Sequence, residues 1–143
     1  QKAAFTLYRQ AALKRYGRAQ YPLGLLYHQG KGVTRDYEKA MRWYGFAMDQ
    51  NYASAFYGAG ILNQLGLGRK KNIKEAIRLY SESSAKGHRI APYMMGQLHE
   101  TGTGVPKNRA LAIRWYRLSA ERNYAKAISR LGKMTGQKPK TNS

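Results

Sequence analysis

Apolar residues recur along this chain at helical rather than strand spacing. From Ala19 onward, Ala19, Leu23, Leu26 and Tyr27 form one stripe of positions three or four residues apart; after a polar, glycine-containing break, Ala40, Met41, Trp43, Tyr44, Ala47 and Met48 form a broader one. The first stripe predicts a helix packed along one face, and the second, with its wider apolar arc, a helix packed on more than one neighbour. The pair then returns. Gly24, Gly60, Gly96 and Gly132 are spaced by 36 residues without insertion, and Ala19, Ala55, Ala91 and Ala127, then Ala40, Ala76 and Ala112, then Tyr44, Tyr80 and Tyr116 keep the same phase. Two helices per period, repeated in register, predict an all-α fold: an α-α superhelix, or solenoid, of stacked antiparallel helix pairs with about eight helices, each unit contacting mainly its neighbours.

The register also sets the boundaries. Ala4, Tyr8 and Ala11 match Ala40, Tyr44 and Ala47, so residues 1–18 read as a half repeat, followed by full repeats at 19–54, 55–90 and 91–126 and a half repeat at 127–135. The chain thus starts in mid-repeat, and 136–143, rich in polar residues, reads as a flexible tail. Asp36, Asn72 and Asn108 precede the second helices and suit N-caps, while Asn51, Gly87 and Asn123 follow them and tolerate a left-handed closure. Pro22 and Pro92 are expected in the first turn of the first helices, where a missing N–H does little harm.

Between the two helices lies Gly30-Lys31-Gly32, which taken alone invites a phosphate-cradling reading, since a glycine-rich turn before a helix aims backbone amides at an anion. The repeat argues otherwise. The motif returns as Gly66-Leu67-Gly68 and Gly102-Thr103-Gly104, keeping its glycines and losing its lysine, as a turn does and a charged site does not.

Composition narrows the chemistry further. The chain has 143 residues and no cysteine, which excludes disulfides and thiol catalysis, and its three histidines, His28, His88 and His99, are scattered. Its seven carboxylates include no repeated pair suited to acid–base work, and no metal-ligand or triad motif occurs, so neither a catalytic residue nor a cofactor or metal is expected. His99 occupies the position of Tyr27 and Asn63 and reads as a semi-buried structural residue. No apolar run is long enough to span a membrane. Twenty-six Lys and Arg against seven Asp and Glu give a formal charge of +19, which favours acidic partners, whether protein, nucleic acid or anionic lipid.

The stretch AQYPLGLLYHQGKGVTRDYEKAMRWYGFAMDQNY resembles the Sel-one-like repeat, a relative of the tetratricopeptide repeat, in its Leu-Gly and Tyr, its GxG-Val turn, its Asp, Lys-Ala, Trp-Tyr and closing Ala. The third unit, with AIRWYRLSA, matches nearly as well; the second departs at Asn63, Arg69 and Leu79, where the family has Tyr, Val and Trp. The resemblance implies a curved, non-catalytic helical scaffold that binds other proteins, often in bacterial envelope, secretion or signalling assemblies. Some bacterial proteins with such repeats are immunity partners that neutralise secreted phospholipase-type toxins, which makes that role, in the periplasm, the most specific expectation. The alternatives are an envelope or secretion adaptor, and a nucleic-acid or anionic-membrane binder working through the basic surface.

Two surfaces are candidate sites. Opposite the core stripe of the first helices, at about 180 to 240 degrees from Ala19, stand Tyr21, Leu25 and His28, repeated as Tyr57, Ile61 and Gln64 and as Tyr93, Gln97 and Glu100. With the first helices inside, as the resemblance implies, this is the concave face, and its in-phase tyrosines either anchor a protein partner or pack between units. On the polar side of the second helices Arg42, Arg78 and Arg114 recur, extended by Arg69, Lys70 and Lys71, as a basic column or a solvated outer face.

Overall fold

The computed structural model describes residues 2–14 and 17–136. Among these are eight helices and no strand: α1 (Lys2–Leu13), α2 (Gly17–Gln29), α3 (Tyr37–Asp49), α4 (Ala53–Leu65), α5 (Ile73–Ala85), α6 (Ala91–Thr101), α7 (Arg109–Glu121) and α8 (Ala125–Thr135). The expected tail lies, from residue 137 onward, outside the described residues. Consecutive helices pack as pairs, in the all-α solenoid arrangement, and the chain divides into two compact units, 1–86 and 87–143.

In the first unit α2 packs on α3, α3 on α4 and α4 on α5, and α2 also touches α4. The short turns between them make up-and-down neighbours, so α2 and α4 run the same way. The core holds Leu23, Ala40, Tyr44, Ala47, Ala55, Ala59, Leu62 and Leu79, all buried, with Trp43, Met48 and Phe5 partly buried against it. In the second unit, Ala112, Tyr116 and Met134 form the cluster on which Tyr93, Ile113 and Leu131 pack.

Local chemistry fixes the helix ends. The Asp36, Asn72 and Asn108 side chains accept the backbone N–H of Lys39, Glu75 and Leu111, each at 3.0 Å, capping α3, α5 and α7. Asn51, Gly87 and Asn123 are left-handed, at φ 63, 95 and 64°. The recurring GxG turns owe their glycines to the same geometry: Gly66 and Gly68 stand at φ 67 and 69°, Gly102 and Gly104 at 72 and 70°. Pro92 falls in the first turn of α6 as expected, but Pro22 does not fall in the first turn of α2. That helix begins at Gly17, so Pro22 lies inside it and withholds one N–H from the carbonyl a turn earlier.

The 36-residue glycines have a specific neighbour. A Cβ at Gly24, Gly60 or Gly96 would lie 2.7, 2.6 or 2.6 Å from the ring of Tyr44, Tyr80 or Tyr116, the tyrosine twenty residues on. Each glycine is the seat of a ring that is fully or almost fully buried, at 0, 0 and 1% exposure. Gly58 closes the other side of Tyr44, its missing Cβ 2.7 Å from Cζ.

Candidate protein-binding site

A buried tyrosine must place its hydroxyl, and here the hydroxyls reach the first helices. Tyr44 Oη lies 3.0 Å from His28 Nδ1, Tyr80 Oη donates to Gln64 Oε1 at 2.6 Å, and Tyr116 Oη donates to Glu100 Oε1 at 2.7 Å. Three different side chains at one repeat position thus do the same job, a role their dissimilarity concealed in the sequence. Burial pushes all three phenols up from their ordinary value, Tyr116 to about 12, and all three keep their hydroxyl proton at neutral pH. Burial, then the Arg35 charge, holds His28 below the usual imidazole range; its ring also meets Tyr37 edge-on at 5.7 Å.

On this layer rest the tyrosines of the first helices. Tyr21 stacks on Tyr44 with centroids 5.6 Å apart, Tyr57 tilts against Tyr80 at 6.3 Å, and Tyr93 against Tyr116 at 5.4 Å, with Tyr124 edge-on to Tyr93 at 5.2 Å. All three are half-buried, as are Leu25, Ile61 and Gln97 beside them. Each ring therefore has one side held by the protein while part of it meets solvent. In the first unit Tyr21, Leu25 and His28 lie on α2 and Tyr57, Ile61 and Gln64 on α4, which touches α2; in the second Tyr93, Gln97 and Glu100 lie on α6, where Gln97 donates to Tyr93 Oη at 3.1 Å. Glu100 is also gripped by Arg130 of α8 through both carboxylate oxygens.

Arg42, Arg69, Lys70, Lys71, Arg78 and Arg114 are all exposed, but not equivalent. Arg78 forms a fork with Glu75, with bonds of 2.5 to 3.1 Å, which raises the arginine and lowers the carboxyl from their usual ranges. Arg69 turns back to donate to Asn63 Oδ1 at 3.1 Å, while buried Asn63 donates to the Ala59 carbonyl at 2.9 Å. Two departures of the second repeat, six residues apart in sequence, thus satisfy one another. Arg42 and Arg78 share a shallow cleft with Phe46, which is 51% exposed.

Sequence reading did not find Ser83 and Ser119, which stand where the first repeat has Ala47 and donate to the carbonyls of Ala53 and Arg89 at 2.7 and 2.5 Å. Nor did it give His88 a role: its Nδ1 accepts the backbone N–H of Ile90 and Ala91 at 3.3 and 3.2 Å, at the start of α6. No group of three metal-ligating side chains occurs among the described residues, and no described helix is long and apolar enough to cross a membrane.

Known proteins share this arrangement. The Sel1 repeat model matches residues 17–52, 52–88 and 90–124. A Sel1 repeat protein from Oxalobacter formigenes is 35% identical, with a TM-score of 0.85 over 92% of this chain and 54% of its own. The protective antigen c5321 of uropathogenic Escherichia coli, which displays an SLR fold, is 30% identical, with a TM-score of 0.87 over 94% of this chain and 29% of its own. The chain thus spans about half of the first and under a third of the second. The immunity protein Pa5087 from Pseudomonas aeruginosa, 23% identical with a TM-score of 0.66 over 90% of this chain and 48% of its own, has the same fold. No curated protein sequence matches. Sel1 repeats form a non-catalytic scaffold for protein–protein interaction, and with three copies in register this chain belongs to the Sel1 repeat family.

Proposed function

We propose that the chain is a non-enzymatic scaffold that holds a protein partner on the outward faces of its first helices, with Tyr21 and Tyr57 as anchors in one unit and Tyr93 in the other. The observation that carries this reading is the pairing of each of these rings with a buried tyrosine behind it. A ring fixed on one side loses little freedom when a partner covers the rest, so its contact area is turned into affinity at low entropic cost. Leu25, Ile61 and Gln97 beside them vary between repeats and supply the selectivity.

The finer reading is immunity, with a secreted phospholipase-type toxin as the bound protein. Its support is the family resemblance together with the fold shared with Pa5087. The test is co-expression with candidate toxins and isolation of a stoichiometric complex, then Tyr57→Ala. An anchor loses about 2 kcal/mol or more of binding on truncation; loss of stability with affinity unchanged assigns the rings to packing instead.

The charge of +19 favours one other reading, contact with nucleic acid or anionic membrane through Arg42, Arg114, Lys70 and Lys71. In that case affinity for duplex DNA falls with salt at a log–log slope of about 0.9 per phosphate contacted, and reversing these charges flattens it.

A further inference from the structure

The first unit exposes five large apolar side chains, Leu7, Tyr8, Leu13, Phe46 and Leu65, and the last of these continues the line of the tyrosine-bearing helix α4. Leu65, at the C-terminal end of α4, is 60% exposed. It lies one helical turn beyond Ile61, which lies one turn beyond Tyr57, so the three form a stripe about 12 Å long at 1.5 Å per residue. Tyr21 and Leu25 of the adjoining α2 stand at the positions equivalent to Tyr57 and Ile61. This surface is electrically plain. Helix α4, ASAFYGAGILNQL, has no Asp, Glu, Lys, Arg or His, and in α2 only Arg18 and His28 interrupt the neutral sequence.

Charge begins where the helices end. The turn after α4 holds Arg69, Lys70 and Lys71 with no acid, and the turn after α2 holds Lys31 and Arg35 against one acid, the capping Asp36; these five cations are all exposed. Because α2 and α4 run the same way, both basic turns lie at the same end of the stripe. The corresponding residues of the second unit are Gln97 and Thr101 on α6, and its turn holds Lys107 as its sole cation, so the combination is specific to the first unit.

Resting on the proposed protein-binding role of these faces, we infer that the first unit takes an amphipathic helical segment of its partner, whose apolar side chains lie along Tyr21, Leu25, Tyr57, Ile61 and Leu65 and whose carboxylate-bearing end meets the basic turns. The charge pattern selects this occupant: a neutral stripe rejects charge along the segment, since a carboxylate or ammonium there is desolvated without a partner, while the turns attract carboxylates at one end. The described residues of this face are all helical and offer no strand edge for an extended peptide to pair with, and Tyr57, Ile61 and Leu65, one turn apart, match the spacing of the anchors on a docked helix.

The probe is a fluorescein-labelled helical peptide of about 18 residues, with leucines at i, i+4, i+7 and i+11 and three glutamates at its C-terminal end. It is compared with a scrambled peptide of the same composition and with one carrying glutamines for the glutamates, by fluorescence anisotropy on the whole chain. The ordered peptide should bind at least tenfold tighter than either control. Leu65→Gln, which installs the amide present at Gln29 in the first repeat, and the double variant Lys70→Glu/Lys71→Glu should each weaken it at least tenfold with thermal unfolding unchanged. Equal binding of the scrambled peptide, no binding at all, or indifference to Leu65→Gln overturns the inference. Amide chemical-shift mapping separates the two levels: shifts at Tyr57 and Ile61 without dependence on the glutamates sink the charged-end assignment and leave the docking face intact, whereas shifts centred on Arg42 and Arg78 of α3 and α5 sink both.

Discussion

Adding one methyl group in two different helices of the first unit should have opposite effects. At Gly45, in the interior of α3, a Cβ would meet nothing within 4 Å. Gly45→Ala is therefore expected to stabilise the chain by up to about 1 kcal/mol, the helix-propensity gain alone. At Gly60 the same gain meets the Tyr80 ring, whose Cε1 and Cδ1 would stand 2.6 and 2.7 Å from the new carbon. Non-bonded carbons rest at about 3.5 to 4.0 Å, so the ring must move by about 1 Å. It has nowhere easy to go: Tyr80 is wholly buried and its hydroxyl is tied to Gln64 at 2.6 Å. Overpacking of this kind costs about 3 kcal/mol at the upper end of its usual range, leaving Gly60→Ala destabilised by about 2 kcal/mol and separated from Gly45→Ala by about 3. Urea unfolding followed by circular dichroism measures both. A third variant tests the cause, because in a Tyr80→Ala background the obstacle is gone and Gly60→Ala should become stabilising. If Gly60→Ala raises stability in the parent chain as Gly45→Ala does, the seat-and-ring account is wrong; that contrast decides even if Tyr80→Ala proves too unstable to purify.

Other outcomes follow from the capping and ion-pair geometry. Burial, then Arg89 and Arg122, holds the folded His88 at about 4 against an ordinary value near 6.5, so its contribution is complete above pH 6.5 and is lost as pH falls through about 4. His88→Asn, which retains an acceptor for the Ile90 and Ala91 N–H groups, should unfold with a flatter pH dependence across that window, and identical profiles for the two proteins refute the assignment. Glu100→Gln should lower stability by about 1 kcal/mol and speed amide exchange in α8, since it keeps an acceptor for Tyr116 but loses the charge that holds Arg130; unchanged exchange in α8 would show that Arg130 contributes nothing there. Asn63→Ala should cost about 1 to 2 kcal/mol by emptying a buried polar position, and in its presence Arg69→Ala should add almost nothing, because the two share one bond.

The sequence by itself determined the secondary structure, the register and the family. A 36-residue period is a linear property, and the stripes, caps and glycine turns that repeat with it act within one helix or one turn, so they are legible without coordinates. Its errors arose where a reading extended past that range. Pro22 was expected at a helix start because the register begins at Ala19, whereas α2 begins two residues earlier, at Gly17, which puts the proline beyond its first turn. Gly24, Gly60 and Gly96 could be seen to recur, but only the tertiary structure decided that each seats a tyrosine twenty residues away. His28, Gln64 and Glu100 show no common chemistry in the sequence; they are united by a hydroxyl arriving from the next helix, and an imidazole, an amide and a carboxylate each satisfy it. Asn63 and Arg69 looked like two separate departures and are one interaction. Periodicity records which face of a helix is buried, but a hydrogen bond or a ring contact depends on which residue of another helix lies opposite, and that is fixed only when the helices pack.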